Sequence, residues 1–123
     1  MPKTPDREFS KGDVVAVKKG VRDPDFDIPI GGWQGRIGDI EWGDDDMWLY
    51  EVAWDSVTLW KMKRKIIAQC AEQGLDWSRT VIAERDLKPA EARDTEADVQ
   101  QRLFGLELYA SWHTPPKPKQ EGL

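Results

Sequence analysis

The chain is poor in the residues that build covalent and metal frameworks. Of its 123 residues, one is Cys and one is His. A lone Cys70 excludes an intrachain disulfide framework. Cys70 and His113 cannot complete a Cys/His zinc site without carboxylates or a second chain. No run of about 18 apolar residues occurs, so no membrane-spanning helix is expected. Met1 to Ser10 lacks the apolar stretch of a signal peptide, which makes the cytoplasm the expected compartment. Basic residues are in deficit, 18 against 23 acidic, for a net charge of −5. Nucleic-acid binding rests on Lys and Arg neutralising phosphates, so the balance disfavours it. No Gly-x-x-x-x-Gly-Lys phosphate loop is present.

What remains suits one domain with a buried core. Hydrophobic residues make up 39% and charged residues 33% of the chain, too apolar a balance for wholesale disorder. The charge is unevenly placed. Residues 22–55 hold two basic and ten acidic side chains, whereas residues 56–74 hold four basic and one acidic. A solubilising surface and a cation site both fit such an acidic stretch.

The hydrophobic period predicts a mainly β fold. Residues 1–10 read as a flexible lead-in. Gly12 to Gly20 forms a strand with Val15 and Val17 on one side and Val14 on the other. Residues 20–32 hold two prolines and three glycines and read as a long loop. Trp33 to Trp42 forms a second strand, with Trp33, Gly35, Ile37 and Asp39 on one side. Gly35 marks a bulge or a close backbone contact. After the turn Gly43-Asp44-Asp45-Asp46, Trp48, Tyr50, Val52 and Trp54 alternate strictly in a third strand.

Residues 58–73 switch to helical spacing, with Leu59, Met62, Ile66 and Cys70 on one stripe. Asp55 or Ser56 caps its start and Gly74 its end. Arg79 to Ala83 and Asp86 to Pro89 give two more short strands. Thr95 to Trp112 reads as a second helix, and the proline-rich end from Thr114 as disordered. Short strands, a mid-strand Gly and tight turns together predict a small SH3-like barrel over residues 11–90. It has about five antiparallel strands, an inserted helix at 58–73 and a C-terminal helical extension over 91–123.

An ordered series of short motifs supports this reading. They are Gly12-Asp13 at a strand start, Gly20-Val21-x-Asp23-Pro24-Asp25-Phe26, Gly31-Gly32-Trp33-x-Gly35, Trp54-Asp55-Ser56-x-Thr58-Leu59 and Asp86-Leu87-x-Pro89. The series resembles small bacterial SH3-like barrel proteins related to the cyanobacterial calcium-binding protein of heterocyst calcium control. The likeness spans residues 11–90. It implies a non-enzymatic Ca²⁺-binding protein, for buffering or sensing.

Calcium takes about six to eight oxygen ligands, mostly carboxylates and carbonyls. Asp23, Asp25 and Asp27 match the first ligand positions of an EF-hand loop. The match ends at Ile28, where the loop needs Gly, and at Gln34, where it needs Glu. A site must therefore be assembled across loops. In a meander, connections alternate between the two ends of the barrel. That order gathers Asp23, Asp25, Asp27 and Asp55 at one end, with Asp76 as a further neighbour. It gathers Asp44, Asp45, Asp46, Glu84 and Asp86 at the other. The bland alternatives are turns for the Asp clusters and a helix cap for Asp55.

Other functions rest on fewer residues. Trp33, Trp48 and Trp54 are expected to fill the barrel; Trp42, Trp60 and Trp112 are less constrained. Exposed aromatics would suit a metal-free protein-interaction module that binds proline-rich or methylated-lysine segments. Lys61, Lys63, Arg64 and Lys65 would serve a KOW-like nucleic-acid adaptor or a solvated helix face. His113 beside a proline-rich end is a poor catalytic base, and Cys70 sits on the apolar stripe, so no enzyme is expected.

Overall fold

Apolar runs, with burial alternating most clearly in the two longest, form five short strands. The computed structural model describes residues 6–23 and 26–115. The strands are β1 (Val14–Val17), β2 (Gln34–Trp42), β3 (Trp48–Trp54), β4 (Arg79–Ala83) and β5 (Leu87–Pro89). All pairings are antiparallel, in the order β4-β3-β2-β1-β5. They make a five-stranded open sheet whose edges are β4 and β5. The chain crosses from one edge to the other through a single 3-10 turn, Glu84–Asp86.

The third strand behaves as its spacing predicts from Tyr50 onward, whereas Trp48, like Trp33 expected to fill the barrel, is only half-buried and meets Trp42 edge-on. Tyr50, Val52 and Trp54 are fully buried. Val15 and Val17 join them from β1, and Ile37 from β2. Beyond Ile37 the phase of β2 changes. Its register against β3 slips between Ile37 and Ile40. An extra residue in one strand reverses which side follows. Asp39, expected on the inner side, is therefore exposed, and Ile40 packs on the core instead. Gly35 is the close approach rather than the bulge: a Cβ there would lie 2.2 Å from the Ala53 carbonyl oxygen.

The expected single helix at 58–73 is two helices, α1 (Ser56–Lys61) and α2 (Arg64–Gln73). Met62 and Lys63 between them are extended, with ψ of 131° and 134°. The break resets the apolar stripe. Leu59 and Met62 are buried before it; Ile67, Cys70 and Ala71 are buried after it, while Ile66 is only half-buried. Gly74 ends α2 with a φ of +71°, the left-handed cap that glycine adopts without strain.

The third helix, α3 (Glu96–Ser111), starts at a capping box formed by Thr95 and Asp98. It buries Val99, Leu106 and Ala110 and packs against α1 and α2. The lead-in is anchored rather than loose at Phe9, which is buried edge-on against Tyr50. The proline-rich end beyond Pro115 lies outside the described residues. Among the described residues, no helix is long and apolar enough to cross a membrane.

Candidate functional site

The loop between β1 and β2 folds back on itself. Arg22 bridges Pro29, and the Asp23 N–H donates to the Ile28 carbonyl at 2.8 Å. The Asp23 carboxylate accepts the Phe26 N–H at 3.0 Å, a local side chain-to-backbone bond of the kind Asp favours in loops. Asp27 sits at a φ of +51° and pairs with Arg22 at 2.7 Å. These bonds engage Asp23 and Asp27 within the loop, while Phe26 and Ile28 line a cleft beside it.

Those two apolar side chains form one wall of this cleft of about 530 Å³. Met62, Ile66 and Cys70 form the opposite wall, continued by Leu75, Asp76 and Trp77. The sheet also contributes lining residues, Leu49, Glu51 and Trp54 of β3 and Arg79, Thr80 and Val81 of β4. Trp33 meets Trp54 edge-on, with ring centres 5.1 Å apart and planes at 85°. Trp54 is buried, whereas Trp33, Trp77 and Phe26 are half-exposed.

Four charged side chains, Asp23, Glu51, Asp76 and Arg79, line the cleft. Arg79 bridges Glu51 at 3.0 Å and Asp76 at 3.3 Å. The Asp76 carboxylate also accepts from the Ser78 N–H and hydroxyl, at 2.8 and 2.6 Å. With Asp23, three carboxylates face one guanidinium around the cleft. Aromatic faces beside an excess of carboxylates favour a cationic guest.

Asp55 and Asp94 are committed to other bonds. Asp55 caps α1 through the Thr58 N–H at 2.8 Å. Its carboxylate is also held by Arg93, at 2.7 and 3.1 Å. Next to Arg93, Asp94 accepts the Ser56 N–H at 2.6 Å and Arg36 at 2.8 Å. Burial pushes the Asp94 carboxyl up, but the Ser56 and Arg36 bonds outweigh it and hold it below the ordinary aspartate range.

At the other end of the sheet, Asp46 and Glu84 share a recess of about 250 Å³ with Trp42 and Trp48. Asp44 and Asp45 are exposed in the β2–β3 turn, and the Asp86 carbonyl accepts the Lys18 N–H. Glu84 accepts the Tyr50 hydroxyl at 2.6 Å. Burial, then that bond, pushes the Tyr50 phenol up to about 12. Of the first expected group, Asp23 and Asp76 line one cleft, while Asp55 is not among its lining residues and Asp25 lies outside the described residues. Of the second, Asp46 and Glu84 come together. Among the described residues, no group of three or more His, Cys, Asp or Glu side chains is placed to hold a metal ion.

No family model, no curated protein and no solved structure matches this chain.

The cleft's aromatic members were partly readable. From Asp23 to Ile28 the even positions are apolar while the odd ones are acidic, so Phe26 and Ile28 share a side. Trp77 and Arg79 carry no such pattern. The basic run does not form one helix face. Lys61 ends α1, Lys63 sits in the break and Arg64 stacks over Tyr109 of α3 at 5.2 Å.

Proposed function

We propose that this chain is a non-enzymatic protein-interaction module that binds a short, cationic peptide segment in the cleft between Phe26, Trp33 and Trp77. The observation that carries the reading is the convergence of these aromatic rings with Asp23, Glu51 and Asp76 in one opening. A lysine or arginine guest would place its charge near the carboxylates and its methylenes on the rings.

The architecture that presents the cleft is read as an SH3-like barrel. In a flat sheet, β4 and β5 would lie four strand spacings apart, about 19 Å. The Glu84–Asp86 turn that joins them rises only about 6 Å at the usual 3-10 pitch. A strongly curled sheet accounts for that short crossing.

Calcium binding is the second reading. It draws on the resemblance over residues 11–90 and on Asp23 and Asp76 lining the same cleft. One experiment separates the two. Tryptophan fluorescence is followed while a proline-rich peptide with two lysines is added, with a glutamate version as control. Ca²⁺ and Mg²⁺ are titrated in parallel. Saturable quenching by the lysine peptide alone, lost in Trp77→Ala, supports the interaction module. Equal or absent responses to both peptides refute it. A saturable response to Ca²⁺ that Mg²⁺ does not reproduce supports the calcium reading instead.

A further inference from the structure

We infer that the occupant of the cleft is the chain's own C-terminal segment, Pro115 to Lys119, an inference that rests on the cleft being a peptide site. The chemistry matches on both sides. The segment runs Pro115-Pro116-Lys117-Pro118-Lys119. Proline-rich segments dock in aromatic-lined grooves at low entropic cost, because their backbone is already restricted. Two lysines within three residues complement the three carboxylates of the cleft, of which Arg79 offsets one charge.

The end of α3 delivers the segment to the right place. His113 Nδ1 lies 3.8 Å from Glu72 Oε1 near the end of α2. From Glu72 the chain needs only four residues to reach Asp76 on the cleft wall, at most about 14 Å. From His113 to Lys119 there are six residues, which at the polyproline rise of about 3.1 Å each extend about 19 Å before the lysine side chain is added. The tether therefore spans the gap, and a short tether holds its end at an effective concentration of about millimolar. A free peptide of about 0.1 mM affinity would then meet a cleft already roughly nine-tenths filled.

The test uses the full chain, as wild type and as Lys117→Glu/Lys119→Glu. The probe is a synthetic peptide of residues 114–120. The indole N–H signals of Trp33 and Trp77 are compared by NMR, and the peptide is titrated into each protein. The expected result is a shift of both indole signals in the variant, and about tenfold tighter peptide binding to the variant than to wild type. Superimposable indole signals with equal affinity for the peptide would overturn the inference and leave the cleft as a peptide site. A peptide that binds neither chain overturns that site as well. Indole shifts that grow with protein concentration place the segment in a second copy and refute docking within one chain.

Discussion

Replacing Arg93 by alanine strands a buried charge, and its cost can be worked from the geometry. The Asp55 side chain is 3% exposed and Arg93 holds both of its oxygens. A third Arg93 bond reaches the Thr58 hydroxyl at 3.0 Å. Removing one partner of a buried pair costs about 3–5 kcal/mol, because the other charge stays desolvated. Two features lower that figure here. Arg93 is itself 32% exposed, so water can enter the space it leaves. Asp55 also keeps the Thr58 N–H. The expected loss is about 2–3 kcal/mol. For a domain of this size that corresponds to a fall in Tm of about 10 °C. Thermal and urea melts of Arg93→Ala measure it. Adding Asp55→Asn to Arg93→Ala removes the stranded charge while the amide oxygen still caps α1, so the double variant should be more stable than Arg93→Ala. A loss below about 1 kcal/mol, the value of a surface pair, would refute the reasoning. A double variant no more stable than the single one would refute the charge argument specifically.

Gly35 in β2 and Gly105 in α3 predict opposite effects in denaturant melts. Gly35→Ala drives a Cβ into the Ala53 carbonyl at 2.2 Å, which the paired backbone cannot yield, so a loss of about 4 kcal/mol or failure to fold is expected. Gly105→Ala, in α3 with open space around it, should gain about 0.5–1 kcal/mol; a loss there would contradict the open geometry. Asp94 predicts acid sensitivity. Its folded pKa lies below the unfolded value, so its contribution is full above the unfolded pKa and fades as pH falls through the folded one. Urea midpoints measured from pH 6 down to pH 2 should therefore fall less steeply in Asp94→Asn, and parallel curves would count against that linkage.

Legibility followed sequence separation. The β3 alternation from Trp48 to Trp54, the Asp55 cap three residues before Thr58, and the Gly74 stop are local, and each is readable where it stands. The phase change in β2 was not, because a bulge is specified jointly with the strand it faces. The break at Met62 escaped for a related reason: spacing alone allows one continuous stripe, whereas packing buries Ile67 rather than Ile66. At the candidate site, the acidic residues attracted attention and the alternating Phe26 and Ile28 did not. Trp77 was invisible because its neighbours in the cleft, Phe26 and Trp33, lie more than forty residues away in the chain. Arg93 and Asp94 act across separations of 38 and 58 residues, and a segment read as a departing extension carries the bonds that fix it.

Those two adjacent residues also decide how the domain would bear load. Asp94 grips Arg36, which sits on β2, the middle strand of five. Arg93 grips the cap of α1. Tension that reaches residues 93–94 would thus enter the sheet at its centre and spread to both sides, rather than peel β5 from its edge. A chain pulled from beyond α3 would shed that helix first, and only then load the Arg93–Asp55 and Asp94–Arg36 pairs that join the segment to α1 and β2.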